Sequence, residues 1–224
     1  MKIIIRKADK EVASQIAELF LLAWPVDDIL ESNGISYEEL HAHITVIAAS
    51  EETIYSYENT LVAEIDGKVA GAVCAYDGAY YQRLKQPVVD MLGPDSGFAN
   101  LKETEVGEFY IDSVGVLPEY RGRGIASRLI DAQCKHAASL GHKVAGLIVD
   151  TDKPQAEELY KRLGFVYLDD KDFFGHTMKH MVKHLGHSLQ HVTKQPLCSR
   201  EEVSEEFSLA ECSTASWIME YAFR

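Results

Sequence analysis

The sequence predicts an α/β fold, a mixed β-sheet flanked by helices. Three observations point there. Strand-like and helix-like periodicities alternate through most of the chain, Asp66-Gly67 joins two strand-like runs as a tight hairpin, and a strand at residues 109–116 runs through a glycine turn directly into an amphipathic helix. Ile3, Ile4 and Ile5 form the first strand, and Asp9 is a candidate N-cap for a helix on which Val12, Ile16, Leu19 and Ala23 share a face. Ser36 with Glu39 three positions on is a capping box that opens a second helix, with Leu40, Ile44 and Ile47 on one side. Runs 61–65 and 69–74 are the hairpin strands, so the first third reads β-α-α-β-β. Residues 77–107 mix Gly, Pro and polar residues and read as a long connection with one helical turn near residues 88–91. After strand 109–116 come a helix at 125–140 ended by Gly141, a strand at 143–149, a helix between Pro154 and Gly164, and strands at 165–168 and 174–183. This second part reads β-α-β-α-β-β.

Composition narrows the function classes. The 224 residues carry 22 Lys and Arg against 35 Asp and Glu, a net charge of −13, which argues against a binder of nucleic-acid backbones. Hydrophobic residues at 46% and charged residues at 25% are ordinary globular values, enough for a sizeable core. No apolar run approaches the roughly 18 residues of a membrane span. The opening MKIIIRKADK has too short an apolar core for a signal peptide, so a cytoplasmic location without membrane attachment is expected. Cys74, Cys134, Cys198 and Cys212 lie far apart without a Cys-x-x-Cys pair, which favours buried free thiols over a zinc ribbon or disulfide framework.

The segment VGVLPEYRGRGIA, residues 114–126, is the most informative. A strand followed by a glycine turn and a helix start aims successive backbone N–H groups at one point, where the positive helix terminus also acts, and this suits a pyrophosphate. A P-loop is a poorer match because no Lys-Ser/Thr follows, and the third glycine of the dinucleotide fingerprint is missing. The chain here resembles the Gcn5-related N-acetyltransferase (GNAT) superfamily, whose Arg/Gln-x-x-Gly-x-Gly/Ala signature is met by Arg121, Gly124 and Ala126. A second family block follows at a suitable distance in AEELYKRLGF, residues 156–165. The resemblance covers roughly residues 3–185 and leaves the tail outside.

The resemblance implies a centrally splayed sheet that binds acetyl-CoA, as a cosubstrate and without a metal, in a gap between strands 109–116 and 143–149. It implies that backbone amides of Arg121, Gly122, Arg123, Gly124, Ile125 and Ala126 hold the pyrophosphate. Backbone groups near Val114 and Val116 would hold pantetheine and polarise the thioester carbonyl. Tyr160 matches the tyrosine that protonates the departing thiolate, the alternative being a packing aromatic beside Phe165. One position departs from the family pattern: an asparagine that often contacts the cofactor is here Lys153, which would either pair with a cofactor phosphate or lie in solvent.

Acyl transfer to an amine needs a neutral nucleophile, a polarised carbonyl and an acid for the thiolate. Glu108, Tyr110 and Asp112 alternate onto one face of a strand, so a carboxylate there can take the ammonium proton, Glu108 first and Asp112 second. His176, His180, His184, His187 and His191 are spaced by four, four, three and four. On a helix His176 and His180 would lie roughly 6 Å apart along the axis, within reach of one metal. On a strand the step is roughly 13 Å, so strand placement predicts a polar strand face, with His176 directed at the acceptor pocket as a further option.

Residues 11–67 contain no Lys or Arg and twelve acids. This asymmetry suggests a cationic acceptor, a small-molecule or peptide amine, steered by a negative field, or else a solvated acidic surface. Trp24-Pro25, Tyr80, Tyr81 and Phe98 are candidates for an aromatic lid or for packing. The expected organisation is an N-acetyltransferase domain at residues 1–185 and an extension at 186–224, partly helical through a capping box at Ser199 and Glu202. Trp217, Ile218, Tyr221 and Phe223 would dock that extension on its own or a partner subunit, leaving a homodimer open. The enzyme reading is direct transfer from acetyl-CoA to an amine in a ternary complex; its rival is a non-catalytic acyl-CoA sensor or interaction module on the same fold.

Overall fold

A computed structural model describes residues 2–92, 97–173 and 176–186. A seven-stranded sheet forms the centre, in the order β1-β2-β3-β4-β5-β7-β6. Its strands are β1 (Ile3–Lys7), β2 (Thr60–Ile65), β3 (Lys68–Asp77), β4 (Glu108–Val116), β5 (Val144–Asp150), β6 (Val166–Phe173) and β7 (His176–His184). The helices are α1 (Ala13–Leu21), α2 (Val26–Asn33), α3 (Tyr37–Ala48), α4 (Tyr81–Leu92), α5 (Ile125–Ser139) and α6 (Pro154–Arg162). The mixed α/β reading holds. Among the described residues no helix is long and apolar enough to cross a membrane, and no group of three or more His, Cys, Asp and Glu is placed to hold a metal.

Two apolar layers sandwich the sheet. On one face Ile16, Leu19 and Phe20 of α1 pack with Leu40, Ile44 and Ile47 of α3 and with Val62, Cys74 and Tyr110 of the sheet. On the other, Ile125, Leu129 and Ile130 of α5 pack with Phe109, Ile111, Leu147 and Phe165. The expected hairpin is present, with Asp66 and Gly67 both at positive φ, 49° and 78°. So is the capping box: the Ser36 hydroxyl accepts from the Glu39 amide and Glu39 accepts from the Ser36 amide. Cys74 and Cys134 are buried free thiols.

Four expectations need correction. Asp9 makes no side-chain cap; its carboxylate instead pairs with Arg6 at 2.9 Å. A helix at Val26–Asn33, closed by Gly34 at φ 62°, adds a third α-element to the first part. The long connection contains the 12-residue helix α4, whose buried Tyr81, Leu84, Val88 and Val89 follow helical spacing through an internal Pro87. The strand expected at residues 165–168 runs instead from Val166 to Phe173, because β6 pairs along β7 as the sheet edge. The extension beyond Gly186, with Cys198, Cys212, His187 and His191, lies outside the described residues, as does the placement of the Phe98 side chain.

Candidate active site

β4 ends at Val116, and one turn of 3₁₀ helix at Pro118–Tyr120 leads to Gly122 and Gly124, at φ 73° and 74°. Both sit in the left-handed region that side chains disfavour. Gly124 caps α5 without a side-chain hydrogen bond, so the N-cap itself gives the first-turn amides no side-chain acceptor. A Cβ at either glycine would meet nothing within 4 Å, leaving open space in front of the turn. Ile125, 2% exposed, anchors the helix start in the core. Both arginine side chains fold back on the turn: Arg121 Nε donates to the Val116 carbonyl and Arg123 to the Glu119 carbonyl, each at 3.1 Å. The chemistry of this cradle fits a diphosphate through its peptide groups. Replacing Gly124 with valine forces a β-branched residue into positive φ and places methyls where the anion would lie. Acetyl-CoA affinity is expected to fall about 100-fold, or about 2.7 kcal/mol, by titration calorimetry, with the melting temperature lowered by only a few degrees.

The gap beside the turn is a property of strand pairing. β4 and β5 run parallel and pair only from Glu108–Val144 to Tyr110–Gly146. Beyond that, β4 continues to Val116 on β3 alone and β5 continues to Asp150 on β7 alone. Each strand therefore turns an unpaired edge toward the other. Opposite Cys74 and Ala75 the register of β4 slips, so that Ser113 faces Cys74, Ile111 faces Ala75 and Asp112 is the extra residue. The bulge changes the alternation: Ile111, Val114 and Val116 face the α5 layer, while Tyr110, Asp112 and Ser113 face the α1 layer. The loop after α1 touches both sides of the gap. Trp24 Nε1 donates to Ser113 Oγ at 3.2 Å, and Lys153 Nζ donates to the Ala23 carbonyl at 3.1 Å.

Behind the bulge lies a buried cage of carboxylates and tyrosines. Asp112 accepts from Tyr76 Oη and from Ser113 Oγ, each at 2.8 Å. Glu103, 5% exposed, accepts from Tyr81 Oη and Tyr110 Oη, each at 3.3 Å. The rings of Tyr76 and Tyr81 stack at 6.3 Å, and Tyr110 tilts against Tyr76 at 5.8 Å. Burial, then the charge of Asp112, pushes Glu103 up to about 8; burial also raises Asp112, against its two hydroxyl donors. Glu108 lies on the same face of β4 but leans across β5. Its Oε2 would be only 2.6 Å from a Cβ at residue 146, so Gly146 makes room for it, and its Oε1 lies 3.0 Å from His180 Nε2 on β7. On α6, Tyr160 packs edge-on against Phe165 with centroids 6.1 Å apart, and burial raises its hydroxyl pKa.

The model of the acetyltransferase (GNAT) family matches residues 16–165 of the chain. The chain belongs to the GNAT acetyltransferase family. An uncharacterized N-acetyltransferase of Methanocaldococcus jannaschii is 39% identical over 90 residues, 40% of this chain and 39% of the relative, so the chain spans about two fifths of that relative's length. Among solved structures, an acetyltransferase crystal structure superposes with TM-score 0.66 at 30% identity, over 82% of this chain and 100% of its own. An N-acetyltransferase of Staphylococcus aureus Mu50 superposes with TM-score 0.68 at 25% identity, over 80% and 99%.

In this GNAT chain most of the positions expected from sequence fall into two groups, the second of them joined by Ser113, which the sequence did not single out. Val114, Val116 and residues 121–126 lie together along the β4 edge and the α5 terminus. Glu108, Asp112, Tyr110 and Ser113 share the α1 layer of the sheet. Lys153 is neither buried nor aimed at the turn, since its ammonium bonds to the loop after α1. Tyr81 is a core residue, and Tyr80, 53% exposed, carries Arg83 over its ring at 5.3 Å. Glu103, Tyr76 and His180 were not expected as site residues. The only signal pointing to Glu103 was the length of the connection that holds it. His176 is exposed, but His180 is 0% exposed, so the pair does not form a uniform polar strand face.

Proposed function

We propose that this chain transfers the acetyl group of acetyl-CoA to a primary amine by direct attack within a ternary complex, and that the acceptor is cationic. The observation that carries the transfer is the two-glycine turn at an uncapped helix start, opening onto the unpaired edges of β4 and β5. Backbone amides at residues 121–126 hold the pyrophosphate, and the β4 edge at Val114 and Val116 holds pantetheine and donates toward the thioester carbonyl. Glu108 takes the ammonium proton, directly or through one water. The freed amine forms the C–N bond as the C–S bond breaks, and the Tyr160 hydroxyl, raised by burial and so protonated at neutral pH, supplies the proton to the thiolate. The nitrogen's second proton passes through solvent to the Tyr160 phenolate and Glu108 releases the first to solvent, so the cycle closes without a covalent enzyme intermediate.

The cationic acceptor is supported by the tyrosine cage. Two carboxylates held out of water beside aromatic faces suit an ammonium: Lys85 already lies over the Tyr81 ring at 4.8 Å and offsets part of the burial that raises Glu103, and a second cation would offset the rest. The acidic stretch at residues 11–67 is weaker support, because several of its acids have local partners: Glu39 in the capping box, Glu52 with Arg83 and Glu64 with Arg6. Thiol release from acetyl-CoA across spermidine, an aminoglycoside, a lysine peptide and a neutral amine, at low and high salt, tests the reading. Turnover of cationic amines at the expense of the neutral one is expected. Saturable cofactor binding without turnover on any amine would instead favour the non-catalytic binder.

A further inference from the structure

His180 sits at the middle of β7 with its side chain 1% exposed, in a sheet whose neighbours supply two carboxylates. From β4, Glu108 Oε1 approaches its Nε2 at 3.0 Å; from β6, Asp169 Oδ1 approaches its Nδ1 at 2.8 Å. The Glu108 contact is short but off the line of the ring N–H, an ion-pair contact more than an aligned hydrogen bond. The other oxygen of Glu108 has only long contacts, 3.4 Å each, to the Thr104 hydroxyl and the Glu105 amide. Among the described residues no lysine or arginine touches the Glu108 carboxylate, so the imidazole is the cation available to it. A carboxylate this dry is costly without compensating charge.

We propose that His180 is a positioning residue for Glu108, clamped between that carboxylate and Asp169 so that one Glu108 oxygen is fixed and the other is left for the acceptor's proton. This rests on the reading of Glu108 as the base. The charged groups that face the ring are Glu108 from β4 and Asp169 and Lys171 from β6. Lys171 is itself tied to Glu105 at 2.9 Å, and Ile148, opposite on β5, brings no charge. Burial opposes a charged imidazole, but Glu108 and Asp169 outweigh it and hold His180 above its ordinary pKa. The imidazolium therefore persists below that raised value and is lost as pH rises through it. Asp169, with its side chain 56% exposed, connects the buried pair to solvent.

Full-length H180Q, H180F, D169N and E108Q variants test this. Glutamine retains a neutral donor and phenylalanine none, so kcat is expected to fall about 10-fold in H180Q and about 100-fold in H180F, with calorimetric affinity for acetyl-CoA unchanged. The pH–rate inflection belonging to His180 should vanish in H180Q. In D169N, where a solvent-exposed carboxylate is neutralised, it should move to lower pH. Wild-type kcat with an unmoved pH profile in H180Q and D169N overturns the proposal, as does a loss confined to acetyl-CoA affinity. Full activity in E108Q would instead remove the base reading itself. An inactive E108Q beside wild-type histidine variants removes only the role of His180.

Discussion

Glu108→Gln is expected to lower kcat by about 10²–10⁴-fold, or about 3–5 kcal/mol of transition-state stabilisation, while acetyl-CoA binds as in the wild type. Glutamine is close to isosteric, so the space over Gly146 stays filled and the packing between β4 and β5 is kept. What is lost is a lone pair able to hold a proton. Losing the charged contact to His180 costs stability on a smaller scale, about 1–3 kcal/mol, which a melting curve measures separately from the rate. Product formation followed by thiol release, with calorimetry for the cofactor, separates the two effects. Activity within threefold of wild type would transfer the base role from Glu108 to Asp112, the other carboxylate on that face, and D112N would then carry the large loss.

Local signals made the cofactor side of the site legible and left the acceptor side obscure. The turn at residues 121–126 is written in contiguous residues, so glycine conformation and helix polarity can be read without tertiary structure. The same holds for the hairpin at Asp66-Gly67 and the capping box at Ser36. Helix α4 was hidden although its apolar positions recur at helical spacing, because Pro87 and Lys85 interrupt the pattern. Lys85 is buried, at 2% exposure, only because its ammonium bonds to the carbonyls of Ala99 and Leu101, partners that follow the helix. Glu103 meets Tyr81 and Tyr110 only when α4 and β4 are brought together. His180 likewise has partners on other strands, Glu108 far off on β4 and Asp169 across the pairing of β6 with β7, which no spacing rule within its own strand can supply. Charge counting pointed to residues 11–67, where paired surface acids give a large formal sum. The two acids that burial perturbs most plainly, Glu103 and Asp112, lie outside that stretch.

Gly115→Ala should be the most damaging single-methyl change in the fold. A Cβ at residue 115 would land on the backbone carbonyl of Leu19, and a main-chain atom inside α1 cannot rotate away as a side-chain tip can. Either β4 or the end of α1 must move. The expected cost is about 3 kcal/mol or more, which for a domain of this size lowers the melting temperature by about 6–12 °C. Gly141→Ala is the informative comparison. Gly141 has φ 93° with nothing within 4 Å of the added methyl, so backbone strain alone should cost about 1 kcal/mol there. The functional loss in Gly115→Ala should also exceed what stability explains. Moving the end of α1 carries Trp24 away from Ser113, and moving β4 shifts the edge between Val114 and Val116. Acetyl-CoA affinity measured well below the melting transition is therefore expected to fall in Gly115→Ala and to stay unchanged in Gly141→Ala. Equal melting temperatures for the two variants would mean that α1 does not lie against β4 at this glycine.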